Sequence, residues 1–174
     1  TSFVIAGTGS RSLALANDDI RQKALSDLVV LLGERGATRV YSGGAEGWDA
    51  ALAQAAWLAK VPCTLYLPNK GYIDYYWGKT SVTGRDRRKA ASTMLERADE
   101  VVYVCSSLYG DHPHKEGEKL HANFVRNHFL LCDANLGVVY DAASAGTRHG
   151  VGELKQHDVP YVVWTYENGF STDN

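Results

Sequence analysis

The chain has 174 residues, of which 45% are hydrophobic and 22% are charged, and its formal net charge is -2. This length buries a sizeable core most simply as one domain over residues 1–174, and the charge excludes a strongly basic surface for non-specific nucleic-acid binding. No stretch reaches the roughly 20 apolar residues of a membrane span, and residues 1–20 lack the pattern of a signal peptide. We therefore expect a soluble cytoplasmic protein, from a host cell or encoded by a virus, with no membrane partner.

The cysteines and histidines do not predict a metal site. Cys63, Cys105 and Cys132 lie far apart and form no C-x-x-C pair, the spacing typical of zinc sites, and they indicate no disulfide framework. Neither an i, i+4 pair nor an H-E-x-x-H pattern occurs among four histidines, which are His112, His114, His121 and His128. The sequence therefore predicts no metal, and no cofactor is expected.

In the first 68 residues, three apolar runs alternate with two segments of helical spacing. Strands are expected over 2–6, 38–41 and 62–68. Helices are expected over 19–32, after an N-cap at Asn17 or Asp18, and over 50–59. Because strands that alternate with helices pair in parallel through crossover connections, this half predicts a parallel sheet covered by helices.

The second half of the chain continues this alternation less regularly. Residues 69–83 hold four aromatic residues without a period, Tyr72, Tyr75, Tyr76 and Trp77, and we expect an aromatic loop above the carboxyl edge of the sheet. Further helices are expected over 86–98, 116–131 and 146–156, and further strands over 100–105, 136–140 and 159–164, before a polar frayed tail. The prediction is an α/β fold: a Rossmann-like doubly wound, mainly parallel sheet of about six strands with helices on both faces.

Three loops with ligand-binding chemistry leave predicted strands at the carboxyl edge, where open α/β sheets bind ligands. They span residues 7–11, 42–49 and 141–147. Each contains glycine, which lets a ligand approach the backbone closely, and the last two precede helices whose first N–H groups are free. Such places favour anions, phosphates above all.

The first loop offers Gly7, Ser10 and Arg11 as ligand contacts. The Arg11 guanidinium suits bidentate bonds to a phosphate or carboxylate, and a surface salt bridge is the alternative. The loop is not the dinucleotide fingerprint, because that motif needs G-x-G-x-x-G at the immediate start of a helix.

The second loop contributes Ser42, Gly43, Gly44, Glu46 and Asp49 to the predicted site. The glycines are expected to bind phosphate through the backbone. Two interpretations remain for the acidic residues. They serve only the helix dipole and local N–H groups, or Glu46 faces a ribose, where it bonds the hydroxyls or acts as a general base.

The third loop and a later helix complete the predicted site. Gly146 and Thr147 lie at another strand-to-helix turn, which gives this edge a second helix end able to hold an anion. Arg126 and Asn127 lie on the helix expected over 116–131. They are either a structural clamp to nearby carbonyls or ligand contacts.

Several of these motifs together resemble a known family. They are S-G-G-A-E-G-W-D-A-A at 42–51, F-V-R-N at 124–127, V-Y-D at 139–141 and A-G-T at 145–147. In order and spacing they are similar to the YpsA-like branch of the SLOG superfamily, which includes the DNA-processing protein DprA and the LOG phosphoribohydrolases. The likeness extends from the first strand to about Lys155. It implies a Rossmann-like fold that binds a nucleotide or nucleotide-derived ligand at the glycine turns.

The resemblance implies a ligand class and leaves the activity open. LOG enzymes have a glutamate three residues after the threonine of the last turn, where this chain has Gly150, so Glu46 is left as the candidate catalytic carboxylate. We expect binding of a nucleoside monophosphate or of an NAD- or ADP-ribose-like molecule, as a sensor or sequestering module, with N-glycosidic hydrolysis as the alternative. Single-stranded DNA is disfavoured by the slight negative charge. A homodimer or higher oligomer is compatible with the small residues over 50–59.

Overall fold

The computed structural model describes residues 1–106, 113–115, 118–119 and 122–172 of the chain. Its strands are Val4–Gly9 (β1), Arg39–Ser42 (β2), Cys63–Leu67 (β3), Glu100–Tyr103 (β4), Pro113–Lys115 (β5), Glu118–Lys119 (β6), Leu136–Tyr140 (β7), Tyr161–Thr165 (β8) and Gly169–Thr172 (β9). Its α-helices are Asp18–Glu34 (α1), Trp48–Ala59 (α2), Arg88–Arg97 (α3), Ala122–Leu131 (α4) and Ala145–Gln156 (α5). A short 3₁₀ turn covers Arg11–Leu15.

The order of the strands reverses at β1. The main sheet has seven strands in the order β4-β3-β2-β1-β7-β8-β9, and all neighbours are parallel except β8 and β9. The chain builds outward from β1 to β4 and then returns to place β7 on the other side of β1. The carboxyl ends of β1 and β7 therefore lie side by side, with Gly9 in register with Tyr140. In a doubly wound sheet, ligands bind at such a reversal.

Alternate strand residues face two separate cores. Ile5 and Val138 pack into the core beneath α1 and α2, whereas their neighbours Ala6 and Val139 pack into the core beneath α4 and α5. Because successive side chains point to opposite faces, a strand buried on both faces is apolar throughout. The predicted doubly wound α/β fold with helices on both faces is confirmed.

The expectation of a loop over 69–83 is wrong in part. Ile73–Lys79 forms a π-helical segment. It is anchored by Trp77, which is buried and donates from Nε1 to the Gly44 carbonyl oxygen at 2.9 Å. A wide π turn does not follow the 3.6-residue period of an α-helix, so the aromatic residues show no helical pattern in the sequence.

Two further local expectations are wrong. The strand β6 lies within the helix expected over 116–131 and pairs with β5, so α4 begins at Ala122. The tail after residue 164 forms β9 instead of fraying, because Gly169 turns the chain at φ 66° and Phe170 packs against the core beneath α1 and α2. This addition makes seven strands in place of about six. Across the described residues, no helix combines the length and apolarity that membrane crossing requires.

Candidate functional site

A cleft of about 510 Å³ lies where the carboxyl ends of β1 and β7 meet. Its lining comes from the loop after β1, the start of α2, the π-helical segment, α4 and the start of α5. Of the residues predicted as ligand contacts, the following line it: Gly7, Ser10, Arg11, Asp49, Arg126, Asn127, Gly146 and Thr147. The structure thus brings all three predicted loops to one cavity at the reversal of strand order.

The turn after β2 is closed by packing. A Cβ on Gly43 would lie 2.5 Å from Nη1 of Arg126, and a Cβ on Gly47 would lie 2.7 Å from the Arg11 carbonyl oxygen. Gly44 has φ 68°, and a Cβ there would clash with Leu67. These glycines are needed because neighbouring parts of the chain approach so closely. Gly43 and Gly44, predicted to hold phosphate, do not line the cleft.

Ser42 also serves the turn itself. It is fully buried, and its hydroxyl donates to the Asp49 carbonyl oxygen at 2.7 Å and accepts from the Gly44 N–H at 3.3 Å. The hydroxyl therefore ties the end of β2 to the first turn of α2. The structure places Ser42 outside the lining of the cleft.

Glu46 lies behind the cleft wall. Its side chain is fully buried and accepts from Arg11 Nη2 at 3.2 Å, from the Val82 N–H at 3.1 Å and from the Ser81 hydroxyl at 2.9 Å. Arg87 Nη1 lies 3.7 Å from Oε2 of Glu46. The carboxylate fixes the segment after the π helix against the first loop, and it does not line the cleft.

Arg126 is a clamp on backbone carbonyls. It is buried, and its Nη1 donates to the carbonyl oxygen of Gly43 and, at 3.3 Å, to that of Tyr66. Its Nε donates to Asn127 Oδ1 at 3.0 Å. Of the two interpretations of the Arg126-Asn127 pair, these contacts match the structural clamp, although both side chains also border the cleft.

Asp49 is the buried carboxylate of the cleft. It is 5% exposed, and its Oδ2 accepts from the Ala45 N–H at 3.4 Å. Its buried Oδ1 has no hydrogen-bond partner within the described part of the chain. Burial raises the pKa of Asp49 to about 6, although the positive charge of Arg126 opposes the shift. Asp49 therefore lines the cleft and has one buried acceptor atom without a hydrogen bond.

Arg11 is held at the rim by backbone contacts. Its Nη2 donates to the carbonyl oxygens of Tyr76 at 2.9 Å and Thr80 at 2.8 Å. Its Nε is buried and lacks a hydrogen-bond partner among the residues described. The guanidinium carbon lies 5.3 Å from the centre of the Tyr76 ring. Arg11 is thus fixed beside the cleft, with its charge paired with that of Glu46.

The turn after β7 is open. Ser144 is the N-cap of α5, but its hydroxyl donates to Thr147 Oγ1 at 2.7 Å and does not cap the helix. The N–H groups of the first helical turn have no intrahelical partner. A Cβ on Gly146 would meet no atom within 4 Å. The positive end of the α5 dipole therefore faces the cleft without obstruction.

Aromatic side chains form another wall of the cleft. Tyr72 and Tyr76 have ring centres 4.8 Å apart, and Phe124 stacks on His149 at 4.4 Å. Burial raises the pKa of Tyr72 to about 12, so its hydroxyl stays neutral. Of the other aromatic residues in the predicted loop, Tyr75 is exposed and Trp77 is buried. The sequence indicated the tyrosines as a group and did not separate the two that border the cleft.

A cluster on the outer surface of α4 and α5 was not predicted. It consists of His128, Glu153 and His157, whose ligand atoms lie within 4.8 Å of one another. The i, i+4 spacing of Glu153 and His157 is the signal in the sequence, but His128 joins them only through the packing of α4 on α5. His112, His121 and the side chain of His114 lie outside the described residues.

No protein-family model and no curated protein sequence matches the chain, whereas several solved structures do. TM1055 is 15% identical with a TM-score of 0.56, over 91% of this chain and 72% of that one. DNA processing protein A (DprA) from Helicobacter pylori is 17% identical with a TM-score of 0.58, over 94% of this chain and 65% of that one. The Moco carrier protein from Chlamydomonas rheinhardtii is 14% identical with a TM-score of 0.52, over 94% of this chain and 76% of that one. The chain thus spans about two thirds of the DprA structure.

These similarities are at the level of the fold. The presence of DprA among the similar structures agrees with the Rossmann-like fold that the resemblance in the sequence motifs implied.

Proposed function

We propose that the cleft binds a nucleotide or a nucleotide-derived ligand, with its phosphate at the start of α5. The observation that carries this proposal is the juxtaposition, in one cavity, of an open helix N-terminus and the unpartnered Oδ1 of buried Asp49. The helix N-terminus favours an anion, and Oδ1 of Asp49 favours a hydrogen-bond donor. A phosphorylated sugar carries both groups.

The proposed position of the ligand phosphate is based on free backbone N–H groups and on positive charge. The free N–H groups at Gly146 and Thr147 and the α5 dipole favour an anion, and Gly146 leaves room for it. Arg11 lines the same cleft and brings a guanidinium group, whose charge is paired with that of Glu46. Gly7 and Ser10 also line the cleft.

The sugar end rests on Asp49. A buried acceptor without a donor costs about 1–3 kcal/mol, and a ligand hydroxyl at Oδ1 would recover this cost. A carboxylate is also the group that bonds ribose hydroxyls in other nucleotide-binding α/β folds. Asp49 would take the ribose-binding role that was one of the two interpretations of Glu46.

The base end rests on the aromatic wall. Tyr72, Tyr76 and Phe124 line the cleft and supply aromatic surface for contact with a base. The volume of about 510 Å³ lies within the range of ligand pockets, about 300–1,000 Å³. The names of two similar structures support a binding role, since one concerns the single-stranded DNA binding mode of DprA and the other is a carrier protein. The net charge of -2 disfavours DNA for this chain.

Isothermal titration calorimetry with AMP, NAD and ADP-ribose tests the proposal, and adenosine is the control that lacks phosphate. We expect at least one phosphorylated ligand to bind, and adenosine to bind at least about tenfold more weakly, because it makes no contact with the α5 N-terminus. Absence of binding by the whole panel would overturn the proposal.

A second candidate function is hydrolysis of the N-glycosidic bond of a nucleoside monophosphate. The observation in its favour is that Asp49, with a pKa of about 6, is protonated in part near neutral pH and borders the cleft. Such a carboxyl group can donate a proton to the departing base while water adds to C1′ of the ribose. Chromatography for free base released from AMP tests it. Asp49→Asn should abolish release and Glu46→Gln should retain it, and an inactive wild type excludes this candidate.

A further inference from the structure

Three side chains come together at the surface of α4 and α5: His128 of α4, Glu153 of α5 and His157, the C-cap residue of α5. His128 Nδ1 lies 3.1 Å from Glu153 Oε2, and His157 Nδ1 lies 3.5 Å from the same oxygen. The rings of the two histidines are 5.2 Å apart. A fourth group, His149 Nε2, lies 3.8 Å from the other oxygen of Glu153.

These separations fit ligands of one metal ion. Ligand atoms about 2.0–2.2 Å from a tetrahedral Zn²⁺ lie about 3.3 Å from each other. The two nitrogen-to-oxygen distances in the cluster, 3.1 Å and 3.5 Å, fall on either side of that value. Because all the ligand atoms of the cluster lie within 4.8 Å of one another, side-chain rotations that bring the two histidines closer together would place the three groups around one ion.

The chemistry of the donors selects the class of metal. Two imidazole nitrogens and one carboxylate oxygen suit Zn²⁺ and neighbouring transition metals, whereas Ca²⁺ and Mg²⁺ prefer oxygen ligands alone. His157 Nδ1 also lies 3.0 Å from the Glu153 carbonyl oxygen, so this nitrogen has to exchange a proton for the metal. The side chain of His128 is 47% exposed, which leaves the site open to an ion and to water as a further ligand.

We propose that His128, Glu153 and His157 form a binding site for a divalent transition-metal ion such as Zn²⁺. The ion would cross-link α4 to the C-terminal end of α5, because His128 lies on α4, Glu153 lies on α5 and His157 is the C-cap residue of α5. Both helices also supply the cleft, through Asn127 and Gly146, which are joined by a 3.3 Å hydrogen bond. The metal site is independent of the proposed nucleotide function, since none of its three ligands borders the cleft.

Calorimetric titration of metal-free protein with Zn²⁺ alone tests this proposal. The wild type should bind one ion, and the double variant His128→Ala/His157→Ala should bind it at least about tenfold more weakly. Glu153→Gln, which keeps the shape of the side chain and removes its charge, should also weaken binding. Gln156→Ala, an exposed change on the same helix, is the matched control and should bind as the wild type does.

Thermal unfolding supplies a second readout. Zn²⁺ should raise the unfolding midpoint of the wild type and of Gln156→Ala, and it should leave that of the double variant unchanged, because an ion that binds only the folded state stabilises it. Unaltered Zn²⁺ affinity in the double variant would place the ion elsewhere and overturn the proposal. So would the absence of saturable binding to the wild type.

Discussion

The chain contains two glycine turns that join a strand to a helix at the same edge of the sheet, and they differ in what fills the space beside the glycines. In the turn over 42–49, that space holds Arg126, Leu67 and the backbone of the first loop. In the turn over 141–147, Gly146 has no atom within 4 Å of an added Cβ. Glycine therefore allows close packing of the chain in the first turn and access to the helix end in the second.

The closed and the open turn differ because different side chains pack beside them. The turn after β2 must accommodate the buried pair Arg126 and Asp49, and Arg126 holds two strand-end carbonyls together. The turn after β7 contains Ser144 and Thr147, and the hydroxyl of Ser144 donates to that of Thr147. One turn is a structural joint of the sheet, and the other is available to a ligand.

The strongest test of the comparison is a methyl group added to the closed turn. Gly47→Ala should lower the free energy of unfolding by more than about 3 kcal/mol, because residue 47 has φ 85° and a Cβ would lie 2.7 Å from the Arg11 carbonyl oxygen. Urea denaturation followed by circular dichroism measures this loss. A loss below about 0.5 kcal/mol would show that the turn is not closed.

Asp49→Asn, at the end of the closed turn, should change the free energy of unfolding by a similar amount, and this change should depend on pH. The pKa of Asp49 in the folded protein, about 6, is above the ordinary value of 3.8. Stability contributed by the protonated form is therefore full below about pH 4 and is lost as the pH rises through 6. Compared with Asp49→Asn, the wild type should lose about 2–3 kcal/mol between pH 4 and pH 7. Urea denaturation across this range measures it, and a constant difference would contradict the buried position of the carboxyl group.

Glu46→Gln distinguishes a structural role of Glu46 from a role in ligand binding. The variant should lose about 2 kcal/mol of stability, because an amide replaces a buried carboxylate that accepts from Arg11, Val82 and Ser81. Its affinity for AMP should stay within about threefold of the wild type, since Glu46 does not line the cleft. Denaturation and calorimetry on the same sample measure both. Loss of binding with unchanged stability would restore Glu46 as a ligand contact.

A methyl group added to the open turn should have the smallest effect, and of opposite sign. Gly146→Ala should raise the free energy of unfolding by about 0.5–1 kcal/mol, because alanine favours the helix and meets no neighbouring atom. Urea denaturation of Gly146→Ala and of Gly47→Ala under the same conditions compares the two changes in the free energy of unfolding directly. A destabilised Gly146→Ala would mean that both turns are closed.

The sequence predicts both turns but not their difference. Apolar runs followed by glycine and a helical pattern place each turn at the carboxyl edge, and this is sufficient for the fold and for the position of the cleft. The contact that closes the first turn joins Arg126 to Gly43 across 83 residues of sequence. The role of Glu46 depends in the same way on Arg11 and Ser81, each 35 residues away. Such contacts arise from tertiary packing and leave no local pattern.

The same limit explains the other departures. The π-helical segment depends on Trp77 reaching the carbonyl of Gly44, and β9 depends on Phe170 reaching the core beneath α1 and α2. The metal cluster needs α4 packed on α5 before His128 meets Glu153, 25 residues later. Periodicity identifies the faces of elements, whereas partners across elements appear only in the folded chain.

The most direct test of the central claim, that the open turn over 141–147 holds the phosphate, compares valine at two glycines of α5. Both Gly146 and Gly152 have no atom within 4 Å of an added Cβ, so a Cβ at either position meets no neighbouring atom. The Cβ of a helical residue tilts toward the helix N-terminus, which at 146 is the anion site. Calorimetry with AMP, or with the tightest phosphorylated ligand of the panel, should show binding at least about tenfold weaker for Gly146→Val and unchanged for Gly152→Val. Equal affinities in the two variants would contradict the claim.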